Sequence, residues 1–348
     1  IASILLYKFK YSEGRWKQFY GIALLILMFA ELTFYMNHYR YERSDLFASP
    51  PPHIQFLKKN IGDYRVANYG HAGVPPEYGS AYQIAQISSM NMDTIPSYLP
   101  FYQRVFVPDP SQRWGDFATF HYARDIIPAE RDVMFDMMGV KYVLISPAWL
   151  QQKTELLERG YNDVLHTPYI SVFENEDVFP RVYAVSQLGK GEKTPDLLGF
   201  SPRTVALTSD IQLLESAQRA GISIDPPHQE LTAIEESSVV LDEYRNAYIR
   251  ASVNLTSPSV VVMMDNWHPN WQAFIDDKEV YIGLVNESFR GVVVPAGMHV
   301  LEMKYAPRSL TFSTIISLSM LLLIAILVFF RRRLDAWLAE YKFGVKSG

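Results

Sequence analysis

Two long apolar runs interrupt an otherwise mixed pattern of hydrophobic and polar positions. The first extends from about Phe19 to Met36 around GIALLILMFAELTFYM, and the second is Leu310–Phe330, LTFSTIISLSMLLLIAILVFF. Each has roughly the 20 residues that a helix needs to cross the hydrocarbon core of a bilayer. Between them the texture changes twice. Over residues 37–190, DYRVANYG, VKYVLIS, YISVFENE and RVYAVS read as strands, while PAERDVMFDMM and PAWLQQKTELLERG read as helices ended by Gly139 and Gly160. Strands alternating with helices predict an α/β domain. From residue 238 onward, VVLDEYR, AYIRASVNL, SVVVMMDNW, WQAFID, KEVYIGLV, SFRGVVVP and HVLEMKYA follow one another as short strands. Turn residues separate them at Arg245-Asn246, Ser257-Pro258, Asp276-Asp277 and Pro295-Ala296-Gly297. That spacing predicts a β-sandwich. Residues 191–237 read as a linker with short helices such as SDIQLLESAQRAG.

The chain opens with IASILLY, an uncharged run followed at once by the basic stretch KFKYSEGRWK. A secretory signal carries its positive charge before its apolar run. The opening therefore reads as the end of a preceding transmembrane helix, and the chain as a C-terminal fragment. Two crossings place the loop at residues 8–17 and the tail after Phe330 on one side. The loop holds Lys8, Lys10, Arg15 and Lys17, and the tail holds Arg331, Arg332, Arg333, Lys342 and Lys346. Basic residues close to span ends stay cytoplasmic, so the central part is expected outside the cytoplasm. The opposite flanks carry fewer: Arg40, Arg43, Lys304 and Arg308.

The expected architecture is transmembrane α-helices plus an extracytoplasmic α/β domain and a C-terminal β-sandwich, a mixed α and β chain. Residues 1–36 hold the end of a preceding helix, a cytoplasmic loop and a transmembrane helix. The α/β domain follows over 37–190, the linker over 191–237 and the sandwich over 238–308. A second transmembrane helix covers 309–330, and a cytoplasmic basic tail 331–348. With no cysteine in the chain, apolar burial has to hold the extracytoplasmic part together. The net charge of −5 argues against nucleic acid as a partner. The basic clusters beside the apolar runs point to membrane lipid instead.

Motifs for chemistry are few. There is no GxGxxG, P-loop, HExxH or GxSxG. Asp265 and His268 in MMDNWHPNW are too few to form a metal site. The sequons at Asn254 and Asn286 both fall in expected strands. Aromatic rings stand out more. Trp267 and Trp271 flank a turn, where indoles either stack on sugar faces or cap the sandwich core. Tyr98, Tyr102 and Trp114 belong to an aromatic concentration over residues 98–122. It reads either as a glycan groove or lipid-facing lip, or as an irregular segment packing its own rings. Arg290 is placed to pair with Asp265 or Asp276. Glu174, Asn175 and Arg181 bracket a Phe179-Pro180 turn that an ion pair would fix.

The ordered set DYRVAN, MMGVKYVLIS, ISVFENEDVFPRVYAV and MMDNWHPNWQAFIDDKEVYIGLVNESFRGVVVPAGMHVLEMKYAPRSL resembles the C-terminal half of the bacterial YfhO-like membrane proteins. The resemblance spans most of residues 60–330, and Asp265–Pro307 is its most specific part. Asp277 departs from it, standing where the family has glycine. The resemblance implies a GT-C type glycosyltransferase with many spans, which moves a sugar from a polyprenyl-phosphate carrier to an envelope glycan or other acceptor. It also implies an acidic residue in the first outer loop, acting on the acceptor or on a divalent metal. Nothing in this chain matches that loop, so no catalytic or metal-binding residue is carried over. The alternative is a non-enzymatic membrane-anchored structural or binding module of the cell envelope.

Overall fold

In a computed structural model, residues 2–41, 49–69, 73–74, 78–87, 98–106, 132–191, 201–224 and 237–344 are described. The chain divides into two compact units. One gathers the described residues up to 87 together with 140–176; the other gathers those of 98–139 and all from 177 onward.

The first unit begins with helices α1 (Ala2–Tyr11) and α2 (Gly14–Tyr41). The basic loop expected over residues 8–17 contracts to Ser12-Glu13, because the helical pattern continues through Lys8 and Lys10 and resumes at Gly14. Gly14 takes a φ of 58°, a backbone state that glycine adopts without a Cβ penalty. Helix α1 folds back on α2, so that a Cβ on Gly21 would lie 3.1 Å from the Phe9 ring. Gly14–Phe34 is long and apolar enough to cross a membrane.

A four-stranded sheet follows, from β1 (Arg65–Asn68), β2 (Val140–Ile145), β3 (Asn162–His166) and β4 (Ser171–Glu174), in the order β1-β2-β4-β3. Strands β1 and β2 are parallel and the other pairs antiparallel. Helix α3 (Pro52–Asn60) starts at a proline, which fits the first turn of a helix, and buries Ile54 and Leu57 in a cluster with Val66, Tyr142, Leu144 and Val172. Short helix α4 (Tyr78–Tyr82) contributes Tyr82.

The second unit begins with α5 (Tyr98–Phe106) and α6 (Asp132–Met137), the latter ended at Gly139 (φ 70°). The first unit's α7 (Leu150–Glu158) ends in the same way at Gly160 (φ 87°). Strands β5 (Val182–Val185), β6 (Gln187–Lys190) and β7 (Val205–Thr208) precede α8 (Ile211–Arg219). Eight more strands complete the unit: β8 (Ser238–Arg245), β9 (Tyr248–Leu255), β10 (Ser259–Asn266), β11 (Trp271–Ile275), β12 (Lys278–Val280), β13 (Ile282–Val285), β14 (Phe289–Val294) and β15 (Gly297–Tyr305). They form sheets in the orders β13-β14-β10-β5 and β12-β11-β15-β9-β8, with β6-β7 as a parallel pair. Alternate residues of β9, β11 and β15 and residues of β5, β10, β13 and β14 meet in one apolar cluster, including Val253, Val261, Ala273, Val292 and Leu301. Helix α9 (Arg308–Gly344) follows β15 after only Ala306 and Pro307. Its apolar segment among the described residues is Phe312–Val328, shorter than the expected Leu310–Phe330 span.

Three boundaries differ from the sequence expectation. The α/β domain expected to reach residue 190 ends at Glu176, because β5 pairs antiparallel with β10 and so belongs with the C-terminal strands. The linker expected over 191–237 holds its expected short helix, α8, but also the strand β7, and both have buried faces. Asp210 caps α8 by accepting from the Leu213 N–H, and Leu213 packs so closely that a Cβ on Gly283 would lie 2.9 Å from it. KEVYIGLV is two strands in two sheets: β12 pairs with β11, and β13 with β14. Tyr281 stands at the crossing and donates its hydroxyl to Asp210 at 2.7 Å.

Candidate functional site at the tryptophan turn

Strand β10 is buried along nearly its whole length, and its pairing with β14 shifts register between Met263 and Asn266. Such a bulge re-aims a side chain. Here Asp265 turns inward, 7% exposed, and meets two arginines. Arg181, just before β5, donates to its Oδ1 at 2.8 Å. The Nη2 of Arg290 on β14 lies 3.6 Å from Oδ2. Arg290 also donates to the Asn266 carbonyl at 3.0 Å and lies over Trp271, 3.7 Å from the ring centre. Arg181 reaches the Tyr244 hydroxyl of β8 at 3.1 Å. The two guanidiniums thus tie β10 and β14 of one sheet to β11 and β8 of the other.

This arrangement answers several sequence expectations. Arg290 pairs with Asp265, one of its two expected partners. Arg181 pairs with Asp265, and Glu174 meets Lys141 at 3.4 Å and accepts from Tyr142 at 3.3 Å. Burial and the neighbouring Glu174 charge push the Tyr142 phenol up to about 12. Asp265 and His268 do not converge: the carboxylate faces the arginines, and His268 Nδ1 accepts the Asn270 N–H at 3.1 Å. Among the described residues no three His, Cys, Asp or Glu side chains stand together as metal ligands.

The aromatic candidates separate into three groups. Trp271 is 8% exposed and lies in the core beneath Arg290 and beside Tyr305, so it offers no face to a glycan at the surface. Tyr102 is fully buried and stacks 4.5 Å from Phe106, which likewise withdraws it from surface contact. Trp267 is half-buried, with its indole N–H 3.4 Å from the Ile282 carbonyl, and Tyr98 is half-buried on α5. Trp114 lies outside the described residues.

A second polar group is built around the turn from β13 to β14. Asn286 (φ 46°) and Glu287 (φ 69°) both take left-handed backbone states. Asn286 is 2% exposed and exchanges hydrogen bonds of 2.7 Å with the Leu207 backbone, one through its side chain and one through its own N–H. The sequon at Asn286 therefore sits in a buried turn and not in a strand. Glu287 pairs with Arg104 of α5. Burial raises the Tyr183 phenol well above its usual range, against the opposing influence of Arg203 and Asn286.

Sequence reading missed Arg181 and Asn286 as organising residues. Arg181 stands 84 residues from Asp265, and only the β5–β10 pairing brings them together. No known protein family, curated protein or solved structure matches the chain.

Proposed function

We propose that this chain is a non-catalytic, extracytoplasmic part of a multi-pass membrane protein, and that its parent is a YfhO-like glycosyltransferase of the GT-C type using a polyprenyl-phosphate-linked sugar. In this reading the four- and five-stranded sheets of the second unit form a β-sandwich outside the cytoplasmic membrane. Helices α2 and α9 cross the bilayer, and the extracytoplasmic units recognise the glycan or acceptor. The observation that carries the membrane reading is the exposure of large apolar side chains along both helices. Phe29 and Phe34 are each 74% exposed, and Phe312 and Val328 are 67% and 68%. Continuous apolar exposure of that kind calls for lipid or other helices around it. The Arg331-Arg332-Arg333 run after α9's apolar segment supports the orientation.

The transferase reading rests on the ordered motifs from DYRVAN to the run ending in APRSL. Asp265 is no candidate base, since both of its oxygens face arginines and it is withdrawn from solvent. The catalytic carboxylate, and any divalent metal, belong in this reading to the rest of the parent protein. One observation favours the non-enzymatic alternative: of the five candidate glycan contacts, Trp271 and Tyr102 are core residues, and among the described ones only Trp267 and Tyr98 remain partly exposed.

The deciding experiment purifies the intact membrane protein in detergent and supplies a radiolabelled polyprenyl-phosphate sugar with an envelope-glycan acceptor. The expected result is label transfer that Trp267→Phe weakens through a higher acceptor KM with unchanged kcat. Absence of transfer by protein that retains its fold would favour the anchored, non-enzymatic module.

A further inference from the structure

We propose that the end of the five-stranded sheet from which α9 departs is a lipid-docking surface, pressed onto the headgroup layer of the membrane. The proposal rests on the reading of α9 as a membrane span. Strand β15 runs antiparallel to both β9 and β11, pairing Lys304 with Tyr248 and Tyr305 with Trp271. Two turns therefore share its C-terminal end: Asn246-Ala247 between β8 and β9, and His268–Asn270 between β10 and β11.

Both turns are bonded directly to the strand–helix junction. The Tyr305 N–H donates to the Ala247 carbonyl at 2.9 Å, and the Ala306 N–H donates to the Asn270 carbonyl at 2.9 Å. Helix α9 begins at Arg308, and its first large apolar side chain, Leu310, is 64% exposed. Leu310 is four positions after Ala306, so at most about 14 Å of chain divides the turns from the apolar surface, and less where the chain is helical. The polar interfacial layer of one leaflet is roughly 5–8 Å deep. With α9 in the bilayer, a junction this short holds the two turns within the headgroup layer or at most about 9 Å above it.

The chemistry at this end suits such a layer. Arg245 presents a side chain that is 75% exposed, Pro269 is exposed, and Tyr305 is 37% exposed beside His268. A basic group with an amphipathic aromatic ring is the combination favoured at membrane interfaces. Glu243 lies 2.5 Å from Arg245 and offsets part of its charge, so the contact is with zwitterionic and anionic headgroups together and is not a strongly basic patch. The opposite end of β15, at Met298, stands about 24 Å away along the strand and is 84% exposed.

The chain has no cysteine, so single-cysteine spin labels in it report cleanly once any cysteines elsewhere in the parent protein are replaced by serine. Asn246→Cys and Pro269→Cys mark the two turns, Met298→Cys the far end, and Ser317→Cys the interior of α9. The full-length protein is reconstituted in vesicles of phosphatidylethanolamine and phosphatidylglycerol carrying a nickel-chelating lipid. The expected result is relaxation enhancement at Asn246→Cys and Pro269→Cys at least about tenfold above Met298→Cys, because dipolar relaxation falls steeply with distance and the sites stand ~24 Å apart. Ser317→Cys should be accessible to oxygen and shielded from soluble chelated nickel. Equal relaxation at the turns and at Met298→Cys, with Ser317→Cys still in lipid, would overturn the docking surface and leave the span intact. A Ser317→Cys label open to soluble nickel would overturn the span, and the docking surface with it.

Discussion

Replacing Asp265 by alanine leaves two arginine side chains, 4% and 5% exposed, facing each other without the carboxylate between them. At an effective dielectric constant of about 20, a unit pair at 2.8 Å is worth roughly 6 kcal/mol before desolvation, and one at 3.6 Å roughly 5 kcal/mol. Desolvating the carboxylate offsets several kcal/mol of that gain, and the variant no longer incurs it. Breaking a buried pair on one side typically costs about 3–5 kcal/mol, and the expected loss for Asp265→Ala lies in that range. Asp265→Asn keeps the shape and removes the charge, so it should lose nearly as much. Urea unfolding in detergent micelles measures both, followed by tryptophan fluorescence, with Trp271 beneath Arg290 as a local reporter. A loss under about 1 kcal/mol for Asp265→Ala, a value typical of exposed pairs, would refute the placement of this carboxylate between two buried guanidiniums.

Three further outcomes are expected. A Cβ at Gly291 would stand 2.5 Å from Val285 Cγ1, so Gly291→Ala should destabilise by about 1–3 kcal/mol and Val285→Ala should rescue part of the loss; additive losses in the same unfolding assay would exclude the contact. Asn286→Ala removes the acceptor of the buried Leu207 N–H and places alanine at φ 46°, for a loss of about 2–4 kcal/mol, whereas Asn286→Gly should lose about 1 kcal/mol less; equal losses would mean that the left-handed backbone state contributes nothing. His299 pairs with Asp276 at 2.7 Å, and that hydrogen bond raises the imidazole's pKa; the Val300 N–H first and His299 second lower the carboxylate's. The raised imidazole contributes fully below about pH 6.5 and loses its contribution as pH rises through its folded value. The lowered carboxylate contributes above about pH 4 and loses it as pH falls through its folded value. The stability difference between wild type and His299→Gln, read as urea midpoints from pH 3 to 8, should therefore peak between about pH 4 and 6.5, and a flat difference would exclude the pair.

Much of the architecture is legible from local pattern alone. The β9 alternation, with Ile249, Ala251, Val253 and Leu255 buried and their neighbours exposed, is the period-2 signal of a half-buried strand. Gly139 and Gly160 end their helices in left-handed states, and Asp276-Asp277 makes the expected hairpin with both residues at positive φ. What local pattern does not carry is partner choice across long separations. RVYAVS reads as a strand, but its sheet is decided by Val182–Val185 facing Val260–Met263, far along the chain. KEVYIGLV looks continuous because its residues suit a strand throughout, and the crossing between sheets shows only in its distant partners, such as Asp210 bonded to Tyr281. The tryptophan turn shows the same limit. Composition places two indoles beside a surface turn, while burial of Trp271 depends on Arg290 arriving over it from β14.

The proposed membrane-anchored, extracytoplasmic placement of the β-rich unit is tested most directly by cysteine topology in intact cells producing the protein. Met298→Cys and Ser12→Cys are each introduced into the cysteine-free chain and exposed to a membrane-impermeant maleimide before and after permeabilisation. The expected result is immediate labelling of Met298→Cys, with Ser12→Cys labelled only once the membrane is opened. Labelling of both sites alike in intact cells, or of neither before permeabilisation, would contradict that placement.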